Sequence, residues 1–199
     1  MEINPMEVPA ELDLDAAGNI KAEQHDKKII IDADTMIFSA CSVVQYEADI
    51  IGWEDMDEEE QADFSSKHGF DLDTKTYVGI NLDEAYNHAI GKLQLILDRI
   101  GGKHENVELH FTGGRNSFRY HLLREAFPDD ETMHYKFKRK KKLAPAGLTE
   151  VKMMFLENYV GGIYYEYEAD EVVVLRKKQL GDDCILCAVD KDVWKNVPG

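Results

Sequence analysis

The sequence predicts an α/β fold with a mainly parallel central sheet flanked by helices. Three observations predict it. Short β-branched runs alternate with segments of helical spacing along the chain. The first run, "KIIID", holds three consecutive isoleucines, as expected of a strand covered on both faces. The separating segments at 81–101 and 169–181 are long enough for helical crossovers between parallel strands.

Residues 1–27 are polar, lack periodicity and read as a loose tail, leaving 28–199 as one domain. After the first strand, "TMIFSACSVVQ" places Met36, Ile37, Ala40, Cys41 and Val44 at helical spacing. Residues 46–80, with "WEDMDEEEQADF", read as an irregular acidic surface insertion. "NLDEAYNHAIGKLQLILDRIG" predicts a helix capped by Asn81 or Asp83, burying Ile90, Leu93, Leu97 and Ile100 and stopped by Gly101-Gly102. "VELHF" is the second strand, followed by "TGGRNS" and a helix at 117–126. "LTEVKMMFLENYV" predicts a helix capped by Thr149, "GIYYEYE" the third strand, "ADEVVVLRKKQLG" a helix and "CILCAV" the fourth strand. Cys184 and Cys187, three apart on that strand, point to opposite faces and read as core residues rather than a metal-binding pair.

Composition narrows the classes. The chain carries 39 Asp+Glu against 23 Lys+Arg, a formal charge of −16. No apolar run approaches the roughly 20 residues needed to span a bilayer, and the start of the chain is acidic where a signal peptide is basic. The expected location is the cytoplasm, that of the host if the chain is viral.

Acids recur where strands end. Asp32 and Asp34 follow the first strand, Glu168, Asp170 and Glu171 the third, and Asp190 and Asp192 the fourth. With right-handed crossovers these strand ends share one edge of the sheet, where α/β ligands bind. Crowded carboxylates repel one another, and a hard divalent cation removes that penalty. Mg²⁺ or Mn²⁺ fits such oxygen donors, and two ions about 4 Å apart serve in-line phosphodiester cleavage. First-turn acids are also ordinary helix starts, so the inference rests on three clusters at three equivalent strand ends. The stretch "YKFKRKKK" sets six basic residues, Lys136, Lys138, Arg139, Lys140, Lys141 and Lys142, against this acidity. With Tyr135 and Phe137 interleaved it suits phosphate contacts and base stacking on single-stranded nucleic acid, and Arg115 and Arg119 could add phosphate contacts.

In these residues the sequence resembles the 5′–3′ exonuclease and flap endonuclease family, particularly its bacteriophage members. The matching landmarks, in order, are "IIIDADTMIFSA", "VELHFTGGRNSFR", "YKFKR", "YEADE" and "AVDKDVWKNVPG". The resemblance implies a PIN-like 5′-nuclease fold over 28–199, with a basic helical arch at 127–148. It implies a metal-dependent nuclease acting on DNA 5′ ends, flaps or single strands. Asp32 would ligate metal from the first strand, Glu168, Asp170 and Glu171 would hold the catalytic metal pair, and Asp190 and Asp192 would serve the second ion. Lys136 and Arg139 would contact the scissile phosphate or the threaded strand from the arch, making Asp32, Glu168, Asp170, Lys136 and Arg139 the catalytic set. Asp34 ranks below Asp32, because the family does not generally use it.

Two departures stand out. Gly113 and Gly114 occupy the region where the family carries an aspartate after strand two, and Glu171 stands where it carries Asp. The family's helix–three-turn–helix segment would begin where this chain stops, so such a segment is an expected partner. These departures leave an alternative: a catalytically weakened or inactive module that binds DNA or a replication partner. An acidic DNA mimic and a PIN-type ribonuclease are further readings. The basic arch counts against both.

Overall fold

A computed structural model describes residues 22–49, 53–67, 69–71, 76–114, 118–134 and 144–197. The expected α/β class is observed. Strand β1 (Lys28–Asp32) lies between β5 (Val107–Thr112) and β7 (Cys184–Cys187), and β6 (Val160–Tyr164) lies outside β5; all three pairings are parallel. The order β6-β5-β1-β7 runs outward from β1 and then returns to its other side. The switch point therefore falls between β1 and β7, and the crevice beyond their carboxyl ends is the expected ligand position.

The continuous isoleucine run is explained by two-sided burial. Ile29 and Ile31 join the larger core with α1 (Asp34–Val44), α3 (Leu82–Ile100) and α5 (Leu148–Leu156), whereas Ile30 meets Val173 of α6 (Ala169–Leu180), Cys184 and Val193 of α7 (Lys191–Asn196). Cys184 packs with this second cluster and Cys187 against the first, on opposite faces as their spacing required, and both are free thiols. Met36, Ile37, Ala40 and Cys41 bury the predicted face of α1. In α3, Asn81 caps the helix by accepting from the Glu84 N–H, and Gly101, at φ 70°, supplies the left-handed C-cap. Ala85 and Ala89 join Leu93 and Leu97 as its buried stripe; Ile90 and Ile100 are only half-buried.

Several expectations need correction. The acidic insertion is not irregular where it is described: β2 (Gln45–Asp49), β3 (Gly69–Asp71) and β4 (Thr76–Ile80) form an antiparallel sheet in the order β2-β4-β3, with α2 (Glu58–Lys67) between β2 and β3. Thr149 does not cap α5; Gly147, at φ 71°, occupies the N-cap position without a side-chain cap bond. The third strand starts and ends earlier than expected, at 160–164. Its register is tight at Gly161, where a Cβ would run into the Leu109 carbonyl oxygen. Tail residues 22–27 lie against the end of α3: the His25 N–H donates to the Gly101 carbonyl, and Lys103 pairs with Asp26 at 2.6 Å. Residues 1–21 and the centre of the expected arch lie outside the described residues. Helix α4 (Phe118–Ala126) follows β5, as expected of the segment after it; residue 117 lies outside the described residues. Among the described residues no helix is long and apolar enough to cross a membrane.

The α6 face of β5 is polar. Glu108 is buried and accepts three hydrogen bonds from Arg176 of α6 at 2.8–3.1 Å. Beside it, buried His110 sets Nδ1 3.0 Å from the Tyr164 hydroxyl. Burial lowers the His110 pKa, outweighing the attraction of Glu108. The charge-assisted fork fixes α6 across the sheet by direction as well as by packing. Arg176→Ala leaves Glu108 buried without its guanidinium and is expected to cost about 2–3 kcal/mol in urea unfolding. A loss below about 0.5 kcal/mol would contradict this role for the fork.

Candidate metal centre at the carboxyl edge of the sheet

Three elements bring acids to the switch point. Asp32 ends β1, its aliphatic predecessors fixed by two-sided burial, and one of its oxygens accepts the Asp34 N–H at 3.3 Å. Burial raises its pKa to about 6, and Asp34, Asp170 and Asp190 add to the rise by charge repulsion against the opposing Asp34 N–H bond. Asp170 and Asp190, 138 and 158 positions away in the sequence, are near enough for their charges to act on Asp32, since screened charges act only at short range.

Asp170 stands in the first turn of α6, where the helix dipole favours an anion. Its pKa is raised first by burial and then by Glu168, although the Glu171 N–H and Arg119 oppose the shift. Its Oδ1 is buried and hydrogen-bonded to nothing among the described residues. An unsatisfied buried carboxylate oxygen costs stability unless a ligand completes it. Glu168 is also buried and caps α6: Glu168 and Glu171 form a reciprocal capping box, with the Glu168 N–H donating to Glu171 at 3.0 Å.

The remaining predicted acids hold other partners. Glu171 accepts from Arg119 at 2.6 Å, and Arg119 also stands 3.7 Å from Glu168. This arginine, expected at phosphate, is thus turned onto the acids. Asp190 is exposed and caps α7 by accepting the Asp192 N–H at 2.9 Å; Asp192 is exposed and pairs with Lys195 at 3.6 Å. Asp34, ranked below Asp32, accepts the Thr112 N–H at 3.0 Å and pairs with Lys152 at 3.2 Å. Arg115, Tyr135, Lys136, Lys138, Arg139, Lys140, Lys141 and Lys142 lie outside the described residues.

Two residues that sequence reasoning passed over tie the edge together. Thr112 accepts the Ala169 N–H on its hydroxyl at 2.9 Å, joining the end of β5 to the start of α6. Lys152, largely buried, donates to the Thr112 carbonyl at 2.6 Å and neutralises Asp34. A lysine in an otherwise apolar stretch, "EVKMMF", was the available signal. Gly113 also has a definite role: a Cβ there would lie 2.7 Å from the Tyr165 ring and 2.9 Å from Ile163, so no acid fits without moving them.

Among the described residues no three His, Cys, Asp or Glu side chains already form a metal-binding group. Asp170 and Asp192 line one cleft, and Asp32 opens onto another. The donor set is nonetheless all oxygen, one buried oxygen lacks a partner, and Asp32, Asp170 and Asp190 have no ion-pair partner among the described residues; a hard divalent cation fits these properties.

The folded-state pKa of Asp32 lies above its ordinary value of 3.8, so protonated Asp32 favours folding below that value and the advantage is lost as pH rises through about 6. In chelator-treated protein at pH 8, Asp32→Asn should therefore raise the melting temperature by about 5 °C, with no gain at about pH 4. Added Mn²⁺ should stabilise the parent chain and not the variant. Equal melting of both proteins at pH 8 without ions would show that the Asp32 charge is not confined.

Comparison with protein-family profiles, curated proteins and solved structures finds no match. The functional reading therefore rests on the chain's own residues.

Proposed function

We propose that the chain is a divalent-metal-dependent 5′–3′ exonuclease or flap endonuclease domain that hydrolyses phosphodiester bonds of DNA, built on a PIN-like version of its α/β fold. The observations that support this most are the unpartnered buried oxygen of Asp170 and the position of Asp32, which ends β1 at the switch point with its pKa raised by burial and by Asp34, Asp170 and Asp190. Asp32, Glu168 and Asp170 would hold the first ion, and Asp190 and Asp192 the second. When bound, Mg²⁺ or Mn²⁺ lowers the pKa of water and neutralises charge on the leaving oxygen.

The chain's own groups supply the rest. The start of α6 sets Asp170 beside a dipole that favours the anion, against the burial and the Glu168 charge that raise its pKa. Arg119 neutralises Glu171 and approaches Glu168, reducing the repulsion an incoming phosphate meets. Thr112 and Lys152 hold β5, α1 and α6 in register, so the acids keep their relative positions. Lys136 and Arg139, in the basic stretch, are the residues proposed to grip the scissile phosphate.

The crowding of Gly113 by Tyr165 favours a second reading, because it removes the acid that the resembling family carries after strand two. In that reading the scaffold binds DNA or a replication partner with little or no cleavage.

The test uses 5′-labelled single-stranded, duplex and flap DNA with Mg²⁺, Mn²⁺ or chelator, with and without a separately supplied helix–three-turn–helix segment. Ion-dependent product release, reduced about a hundredfold or more by Asp170→Asn, is expected. Binding without release under every condition, unchanged by Asp32→Ala, would overturn the nuclease reading in favour of the second.

A further inference from the structure

Beside the acids the surface carries two aromatic rings that the core does not use. Phe118, at the start of α4, and Tyr167, just before α6, are 47% and 48% exposed, with ring centroids 6.3 Å apart and planes tilted by 55°. Single exposed aromatics are common on surfaces, but these two form a contiguous ridge between two clefts. The cleft of about 540 Å³ on one side is also lined by Arg119, Asp170, Lys178 and Asp192. The cleft of about 730 Å³ on the other side contains His121 and Glu125.

The ridge is tied to the acids by backbone. The Phe118 N–H donates to the Glu166 carbonyl at 2.9 Å, which fastens α4 to the segment leading into Glu168 and Asp170. Tyr167 directly precedes Glu168, and Arg119, next to Phe118, pairs with Glu171. The rings therefore keep a fixed relation to the carboxylates.

We propose that Phe118 and Tyr167 form a stacking platform for an unpaired nucleobase of single-stranded DNA, with Lys178 contacting an adjacent phosphate. This rests on the nuclease reading for what the strand does next: its backbone is presented to Asp170 and Asp192. Stacking on an aromatic face accepts every base, because each has a π-face, and favours purines through their larger overlap. The arrangement also separates recognition of bases by the rings from handling of phosphate by cations and acids.

The experiment reads stacking without cleavage. Single-stranded oligonucleotides carrying one 2-aminopurine are titrated with the full chain in Ca²⁺, with fluorescence quenching reporting stacking. Wild type is expected to quench. Phe118→Ala/Tyr167→Ala should bind about tenfold more weakly with most quenching lost. Phe118→Leu/Tyr167→Leu keeps apolar bulk but removes the π-faces, and it should lose quenching while retaining the wild-type melting temperature. Phe118→Tyr and Tyr167→Phe should bind within twofold of wild type. Lys178→Gln should weaken binding about two- to threefold and leave quenching at saturation intact, the mark of a phosphate contact. No quenching by wild type, or quenching unchanged in the folded double leucine variant, overturns the platform. Quenching that requires the rings in a chain that cuts no DNA upholds the platform and removes the nuclease reading. Cleavage with ring variants indistinguishable from wild type does the reverse.

Discussion

Carboxylates held at the ends of buried strands govern this molecule. Ile29, Ile30 and Ile31 bury against both faces of the sheet and leave Asp32 no freedom to retreat into solvent. Helix α6 then brings Asp170 to the same edge, and the turn after β7 brings Asp190. The burial of Asp32 and the acids that repel it oppose folding when it is charged, and the acids around it are only partly answered from within the chain. Lys152 answers Asp34, and Arg119 answers Glu171 and Glu168. Arg119 also acts on Asp170 from a distance, whereas Asp32 and Asp190 have no ion-pair partner among the described residues. A strained cluster of this kind is typical of sites where stability is given up for binding.

The polar far side of β5 explains how the cluster is maintained. Glu108 and Arg176 lock the middle of α6 to the sheet, while Thr112 holds its first residue. One helix is thus fixed at two points. A helix free to slide would separate Asp170 from Asp32 and relieve the repulsion. The buried fork and the threonine hydroxyl oppose that relaxation, so local polar bonds in the core have a direct consequence at the edge.

Much of this was legible in the sequence, for physical reasons that differ by residue. The isoleucine run followed by Asp32 shows both the buried strand and its acid. Parallel topology then sends Asp170 and Asp190 to the same edge without further information. Asn81 and Gly101 announce the ends of α3 through cap chemistry. Other features were hidden. The buried fork of Glu108 and Arg176 leaves no local signal because its two partners lie 68 positions apart. The β2-β4-β3 sheet was masked by acidic composition, although "TYVGI" alternates weakly. The ion pair of Arg119 with Glu171 joins residues 52 positions apart, which no local pattern shows. That Tyr165 fills the space beside Gly113 is a packing fact no local pattern carries.

The most direct test of the proposed ion site at this edge is an anomalous difference map from crystals soaked in Mn²⁺, collected near the manganese edge. The account predicts a peak between Asp32 and Asp170 with Asp190 facing it, and Oδ1 of Asp170 among the ligands. A map without a peak at that edge, at Mn²⁺ concentrations that saturate any solution response, would contradict it, as would ions bound only to the exposed acids of residues 54–60.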